Sequence, residues 1–212
     1  MVSFPSPTQT LSWADQRVIH RGLTWQQFKL IQSGFGGSRK LRLFYADQTL
    51  EILMPGRNHE LFKSILGFLI ELFCLEVGIE FEPLGSTTQE CPGQSSVEPD
   101  ESYCFGEALG PRKLRPDLAI EVVVTSGGPD KLQRYRSLQI PEVWFWENGT
   151  LHCYHFHGDT YEPIAQSEIP ELARLDLTLL SRCVLIAQTS RLEAAKTLRQ
   201  SLDVSGFTDV ED

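Results

Sequence analysis

The stretch RPDLAIEVVVTSGGPDKLQRYRSLQIPEVWFWENG, Arg115–Gly149, decides the fold. Asp117–Val124 is nearly continuously apolar and rich in β-branched side chains, as in a strand covered on both faces. The run TSGGPD turns the chain, and DKLQRYRSL reads as a helix. EVWFWENGTLHCYHF reads as a hairpin around Asn148-Gly149, a strong turn signal. Strand, helix and strand in succession imply an α/β arrangement on a mixed sheet. One residue is out of keeping with its strand. Glu121 sits in the middle of the apolar run, where an ionised carboxylate is costly unless something pairs with it.

Outward from this stretch the elements are shorter. Leu23–Gln32 has helical spacing of Trp25, Phe28 and Ile31, with Thr24 as N-cap. Leu41–Met54 reads as a hairpin around Ala46-Asp47-Gln48, ended by Pro55-Gly56. Asn58–Gly78 is the strongest helix, capped by Asn58 and closed by Gly78. Its apolar stripe is wide enough to pack on a sheet and a second neighbour. IEFEPLG, TTQEC and SVEPDESYCFG are short and strand-like. Two helices follow near the C-terminus, LDLTLLSRCVLIAQ and SRLEAAKTLRQSL, and then the acidic tail TDVED, expected to lack order. Residues 1–20 read as irregular. There is no internal repeat and no low-complexity segment.

The bulk numbers restrict the function. The 212 residues suit one compact domain with short extensions, 41% hydrophobic and 22% charged. A net charge of −9 argues against binding polyanions through the global field. A local basic patch is available at Arg112, Lys113, Arg115, Lys131, Arg134 and Arg136, set against Asp117, Glu121 and Asp130. By composition alone it reads as a solvated face. The five cysteines form no CxxC pair, against a disulfide framework or a zinc ribbon. Reduced thiols and the lack of a signal-peptide pattern point to a cytoplasmic protein. The most apolar window, Leu61–Val77, is interrupted by Lys63, Glu71 and Glu76 and is too polar to span a bilayer.

A carboxylate in a central strand is tolerated if it binds a cation. Mg²⁺ takes oxygen ligands and usually one or two carboxylates plus substrate phosphates. Asp117 shares strand parity with Glu121, but four residues of strand span roughly 13 Å at about 3.3 Å each, too far to share an ion. Its place after Pro116 suits a turn or cap. Asp100, in VEPDESYCFG, reaches Glu121 if that segment pairs beside the central strand; an acidic turn flanked by Glu98 and Glu101 is the equal alternative. Pro99 suggests that the segment bends or begins there. Lys131, in the first turn of its helix, opposes the helix dipole by about 0.3–1 kcal/mol. That favours a functional reason for it, an ammonium that reaches the carboxylates, orients water or meets a phosphate; a solvated lysine is the alternative. Glu60 sits in the first turn of the long helix, where the dipole alone favours an acid.

Together, EPDESYCFG, RPDLAIEVVVTSGG and DKLQRYRSLQIPEVWFWENGTLHCYHF resemble the Uma-type restriction endonuclease family of the PD-(D/E)XK nuclease superfamily. The resemblance covers roughly residues 20 to 185, and its most specific part is Pro116–Trp146. It implies a restriction-endonuclease-like mixed β-sheet flanked by helices, and Mg²⁺-dependent (or Mn²⁺-dependent) hydrolysis of DNA phosphodiesters. Asp100 then matches the Asp of the PD element, Glu121 the (D/E), and Glu60 the helix acid. Asp100 and Glu121 are the implied metal ligands. The third position of Glu121-Val122-Val123 is not lysine, and the resemblance implies that Lys131 replaces it. Pro116-Asp117 is the alternative PD element.

The resulting organisation is an irregular segment at 1–19, a nuclease-like domain at 20–188, and a C-terminal helix and tail at 189–212. DNA is the expected substrate, a homodimer the expected assembly by analogy, and no membrane is involved. The rivals are an inactive nuclease-fold protein that binds nucleic acid or a partner, and a structural dimer whose carboxylates are satisfied internally. HCYHFH places Cys153, His155 and His157 on one strand face, a pattern that could bind zinc but lacks a fourth ligand. It reads as an exposed hairpin arm. SGFGGSRK lacks the ending of a phosphate loop and reads as a connection. Trp144 and Trp146 read as core or interface.

Overall fold

The computed structural model describes residues 14–36, 38, 40–106, 115–124 and 128–204. The tail after residue 204, the basic residues Arg112 and Lys113, and the turn at 125–127 lie outside the described residues.

Two sheets are present, flanked by helices, and the larger is the mixed sheet expected. The larger has six strands: β4 (Phe81–Pro83), β7 (Glu101–Phe105), β8 (Leu118–Val123), β9 (Glu142–Glu147), β10 (Thr150–His157) and β11 (Thr160–Ile164). Their spatial order is β11-β10-β9-β8-β7-β4. Only β8 and β9 run parallel, joined through helix α3 (Gly128–Arg136), and every other neighbour is antiparallel. The smaller sheet has the order β1-β3-β2-β6-β5. It contains β1 (Gln16–Arg21), β2 (Arg42–Ala46), β3 (Thr49–Met54), β5 (Gln89–Cys91) and β6 (Ser95–Val97). The chain changes sheets between β6 and β7, across Glu98-Pro99-Asp100. Pro99 has no N–H to give a ladder, which suits a crossing point.

The strand periods decide which faces are buried. In β8, Leu118, Ile120 and Val122 face one core and Ala119 and Val123 the other. The first core is covered by α2 (Arg57–Val77), α4 (Leu177–Ala187) and α5 (Arg191–Val204). The second is a wedge between the larger sheet, α3 and the inner face of the smaller sheet. Val143 and Phe145 meet Tyr135, Phe44, Leu53 and Val97 there. Glu121 shares parity with Ala119 and Val123, so it projects into this wedge, and it is fully buried. The outer face of the small sheet carries Leu43, Tyr45 and Leu50 against Phe28 of α1 (Trp25–Gly34).

Local signals explain the elements that matched. Thr24 and Gln27 form a reciprocal capping box at α1. Asn148 and Gly149 both have positive φ, 52° and 81°, the backbone of a tight hairpin turn. Gly78 ends α2 in the left-handed region.

The differences have physical causes. The N-cap of α2 is Gly56, not Asn58, and no side chain of its own turn caps it. Instead the Asp15 carboxylate, 41 residues upstream, accepts the Gly56 N–H at 2.8 Å. Residues 16–21 form a strand, not an irregular segment. Its residues are all exposed, so no alternation marks it. Edge strand β11 carries Pro163, which weakens a strand reading. All five cysteines are free, and no helix among the described residues is long and apolar enough to cross a membrane.

Candidate active site

Four elements meet in the wedge. β8 brings Glu121, the crossing before β7 brings Asp100, the first turn of α2 brings His59, and α3 brings Lys131, Arg134 and Tyr135. Asp100 bonds to both chain neighbours of Glu121. Its N–H donates to the Ile120 carbonyl at 3.0 Å, and its Oδ2 accepts the Val122 N–H at 2.7 Å. Lys131 Nζ lies 3.7 Å from Glu121 Oε2, and the Tyr135 hydroxyl donates to Glu121 Oε1. Lys131 and Tyr135 are four apart, so one helix face presents both. The geometry therefore brings together three of the sequence-derived candidates, Asp100, Glu121 and Lys131.

Glu60 does not join them. Its side chain is 52% exposed, with Arg42 as its charged neighbour at 4.0 Å. The helix residue that meets Asp100 is His59, whose Nε2 lies 2.8 Å from Asp100 Oδ1. One step along a helix turns a side chain by about 100°, which separates an inward His59 from an outward Glu60. Asp117 serves the backbone, as its position after Pro116 suggested: its Oδ2 accepts the Phe105 N–H at 2.8 Å.

The basic patch is not a uniform solvated face. Arg136 is exposed and faces Asp159, while Arg115 donates to the Leu138 carbonyl. Lys131 and Arg134 turn inward instead. Arg134 pairs with Glu51 of β3, a buried acid that also takes Arg17 at 2.7 Å. Both Lys131 and Arg134 lie over the ring of Phe44. Sequence reading passed over Glu51, yet TLEILM shows the same anomaly as the central strand, an acid among apolar residues. His59 and Asp15 gave no signal, because their pairing spans 44 residues.

The charges are balanced by contact. Burial pushes the His59 imidazolium toward neutrality, but the carboxylates of Asp100 and Asp15 outweigh it and raise its pKa to about 10. Burial acts against the Asp100 carboxylate as well, and His59, the Val122 N–H and Lys131 reverse the effect and lower its pKa. Glu121 goes the other way. Burial raises its pKa, Asp100 adds to the rise, and Lys131 and Tyr135 offset only part of it.

A pH dependence follows from His59. Between its ordinary value of 6.5 and about 10 the unfolded chain has lost a proton that the folded chain keeps. Stability from this group is full below 6.5 and declines by up to ~1.4 kcal/mol per pH unit as pH rises through the window. Urea unfolding at pH 7 and pH 8.5 should show this decline, and His59→Gln should flatten it. Equal slopes for the two proteins would contradict the ion pair.

Two buried carboxylate oxygens accept no hydrogen bond, Glu121 Oε2 and Glu51 Oε1, while Asp100 Oδ1 faces His59 Nε2 at 2.8 Å. Buried polar atoms are rarely left so. The Asp100 and Glu121 carboxylates belong to adjoining strand segments beside one lysine. No third acid closes on both within 4.8 Å among the described residues. That donor set, two carboxylates and no more, fits a hard cation that completes its shell with water and phosphate. An open cleft of about 620 Å³ runs along Gln133, Arg136 and Ser137, and none of these acids lines it.

No curated protein matches the chain. A family model, "Uma2: Putative restriction endonuclease", matches residues 25–186, a span that contains the wedge, the crossing strand segments and α3. The chain belongs to the Uma2 family and has its restriction-endonuclease-like fold.

Proposed function

We propose that this chain is a metal-dependent endodeoxyribonuclease whose site is built on Asp100, Glu121 and Lys131. The observation that carries the reading is the convergence of the buried Asp100 and Glu121 carboxylates beside the Lys131 ammonium, with Glu121 Oε2 accepting no hydrogen bond. Those carboxylates would hold Mg²⁺ or Mn²⁺. Such an ion, when bound, supplies Lewis-acid stabilisation of phosphate charge and lowers the pKa of water.

The chain's own groups do the rest. The Tyr135 hydroxyl fixes Oε1 of Glu121 and so leaves Oε2 turned toward Lys131. The Val122 N–H fixes Oδ2 of Asp100, and the His59 imidazolium keeps that carboxylate ionised. The Lys131 ammonium orients the attacking water and meets the charge that develops on the phosphate oxygens. The missing strand lysine at Val123 is no obstacle on this reading, because the lysine of α3 comes to 3.7 Å of the strand carboxylate from a different backbone position.

The test is plasmid nicking in Mg²⁺ or Mn²⁺ by the wild type and by Lys131→Met. Removing one preorganised charge of this kind costs roughly 10²–10³ in rate. The expected variant binds metal but cleaves that much more slowly. Metal-independent cleavage, or equal rates for both proteins, would overturn the assignment.

A further inference from the structure

A second cluster lies far along the larger sheet, on β10 and the segment after β11. His155 and His157 are two apart on β10 and share a face, with ring centroids 4.8 Å apart. Glu168 approaches them from the connection between β11 and the short turn of helix at Pro170–Leu172. His157 Nε2 is 3.3 Å from Glu168 Oε1, and His155 Nε2 is 3.8 Å from Glu168 Oε2. One ligand atom from each residue lies within 4.8 Å of the other two, the only such trio among the described residues.

We propose that His155, His157 and Glu168 form a binding site for a borderline divalent ion such as Zn²⁺, separate from the acids around Glu121. Two imidazoles and a carboxylate are ligands that suit zinc, and the hard cation of the nuclease site has no use for imidazole. The spacing fits as well. Ligand atoms about 2.0–2.1 Å from a tetrahedral ion are about 3.3–3.4 Å apart. The 3.8 Å approach of His155 to Glu168 is too long for a hydrogen bond but needs little closing to make such an edge.

The independent observation is Glu142, fully buried behind the cluster. Its carboxylate lies 3.4 Å from His155 Nδ1. It is itself held by Trp144 Nε1 at 2.8 Å, the Ser167 hydroxyl at 2.9 Å, and the N–H groups of Glu168 and Ile169 at 2.6 and 3.1 Å. One carboxylate therefore fixes the ring of one ligand, through the nitrogen that faces away from the site, and the backbone of another. A carboxylate behind a ligating histidine is the support that metal sites require. Cys153 has the right strand parity but not the right surroundings. Burial and the Glu142 charge push its thiol pKa up, and it stays out of the trio. Glutamate 168, distant in sequence, fills the place that the sequence pattern left open. A hollow of about 280 Å³ lies beside His155 and Glu168, lined also by Asp117 and Pro141 but not by His157.

Co²⁺ is the probe, added to the untagged full-length protein, with Zn²⁺ as competitor. The wild type should develop the intense visible bands of a four- or five-coordinate site, and Zn²⁺ should abolish them. A six-coordinate oxygen site gives only weak absorption. The His155→Ala/His157→Ala double variant should lose the bands, and Glu168→Gln should weaken binding by more than about tenfold. Both changes are at partly exposed positions, and unchanged thermal unfolding of the metal-free protein would confirm an intact fold. Glu121→Gln should keep the bands, which separates this site from the nuclease reading. No bands in the wild type, or the same bands in the double variant, would mean an ordinary surface acid–base pair and would overturn the proposal.

Discussion

Glu121→Gln is expected to leave a folded protein whose metal-dependent cleavage of DNA has fallen by at least about 10³-fold. Gln preserves the shape of the side chain and can still accept from the Tyr135 hydroxyl. It removes the charge on Oε2, the atom offered to the metal and to Lys131. The stability cost is small because two effects oppose each other. Burial already disfavours the charged form of Glu121, so a neutral amide relieves that penalty. Lys131 loses a counter-charge but retains the field of Asp100. A catalytic loss with a near-normal melting temperature is therefore the signature of a functional carboxylate, and plasmid nicking with a parallel melt measures both. Undiminished cleavage would remove Glu121 from the mechanism.

The largest expected effect on stability is at Glu51. Its carboxylate bridges Arg17 of β1 and Arg134 of α3, and it is 1% exposed. Glu51→Gln leaves Arg134 poorly compensated in the wedge over Phe44. Breaking a buried pair by removing one partner costs about 3–5 kcal/mol. Because Arg134 lies between Lys131 and Tyr135 on α3, the loss also loosens the helix face that reaches Glu121, and cleavage should fall with stability. The pH dependence has a defined sign. Burial opposes the Glu51 carboxylate, but Arg134 and Arg17 hold its pKa below the ordinary value of 4.5. Its contribution is present above that value and is lost as pH falls through the lowered one. Urea unfolding at pH 7 should separate wild type and variant by that amount, and the gap should narrow in acid. A difference under about 1 kcal/mol at pH 7 would show that the bridge adds little.

The central strand, the basic helix and the following hairpin were legible because each carries a local pattern. Continuous apolar residues and Asn-Gly need no tertiary information. The acid in the central strand was legible for the same reason, as a local contradiction. What could not be read was the second sheet. Its strands β5 and β6 are three residues long, and β1 is exposed throughout, so periodicity has nothing to act on. The choice between His59 and Glu60 depends on which side of α2 faces the wedge. Asp15 helps fix that side by accepting from Gly56 N–H and contacting His59 at 3.1 Å. Neither contact has a sequence signature. HCYHFH was visible as a pattern but looked incomplete, because Glu168 arrives from another segment.

Mn²⁺ binding followed by the paramagnetic resonance of the free ion tests the central claim most directly. It should be measured in the His155→Ala/His157→Ala background, which removes the second cluster. The account predicts a bound Mn²⁺ that is lost in both Asp100→Asn and Glu121→Gln while the fold persists. Mn²⁺ binding that is absent before either change, or unaltered by both, would contradict it.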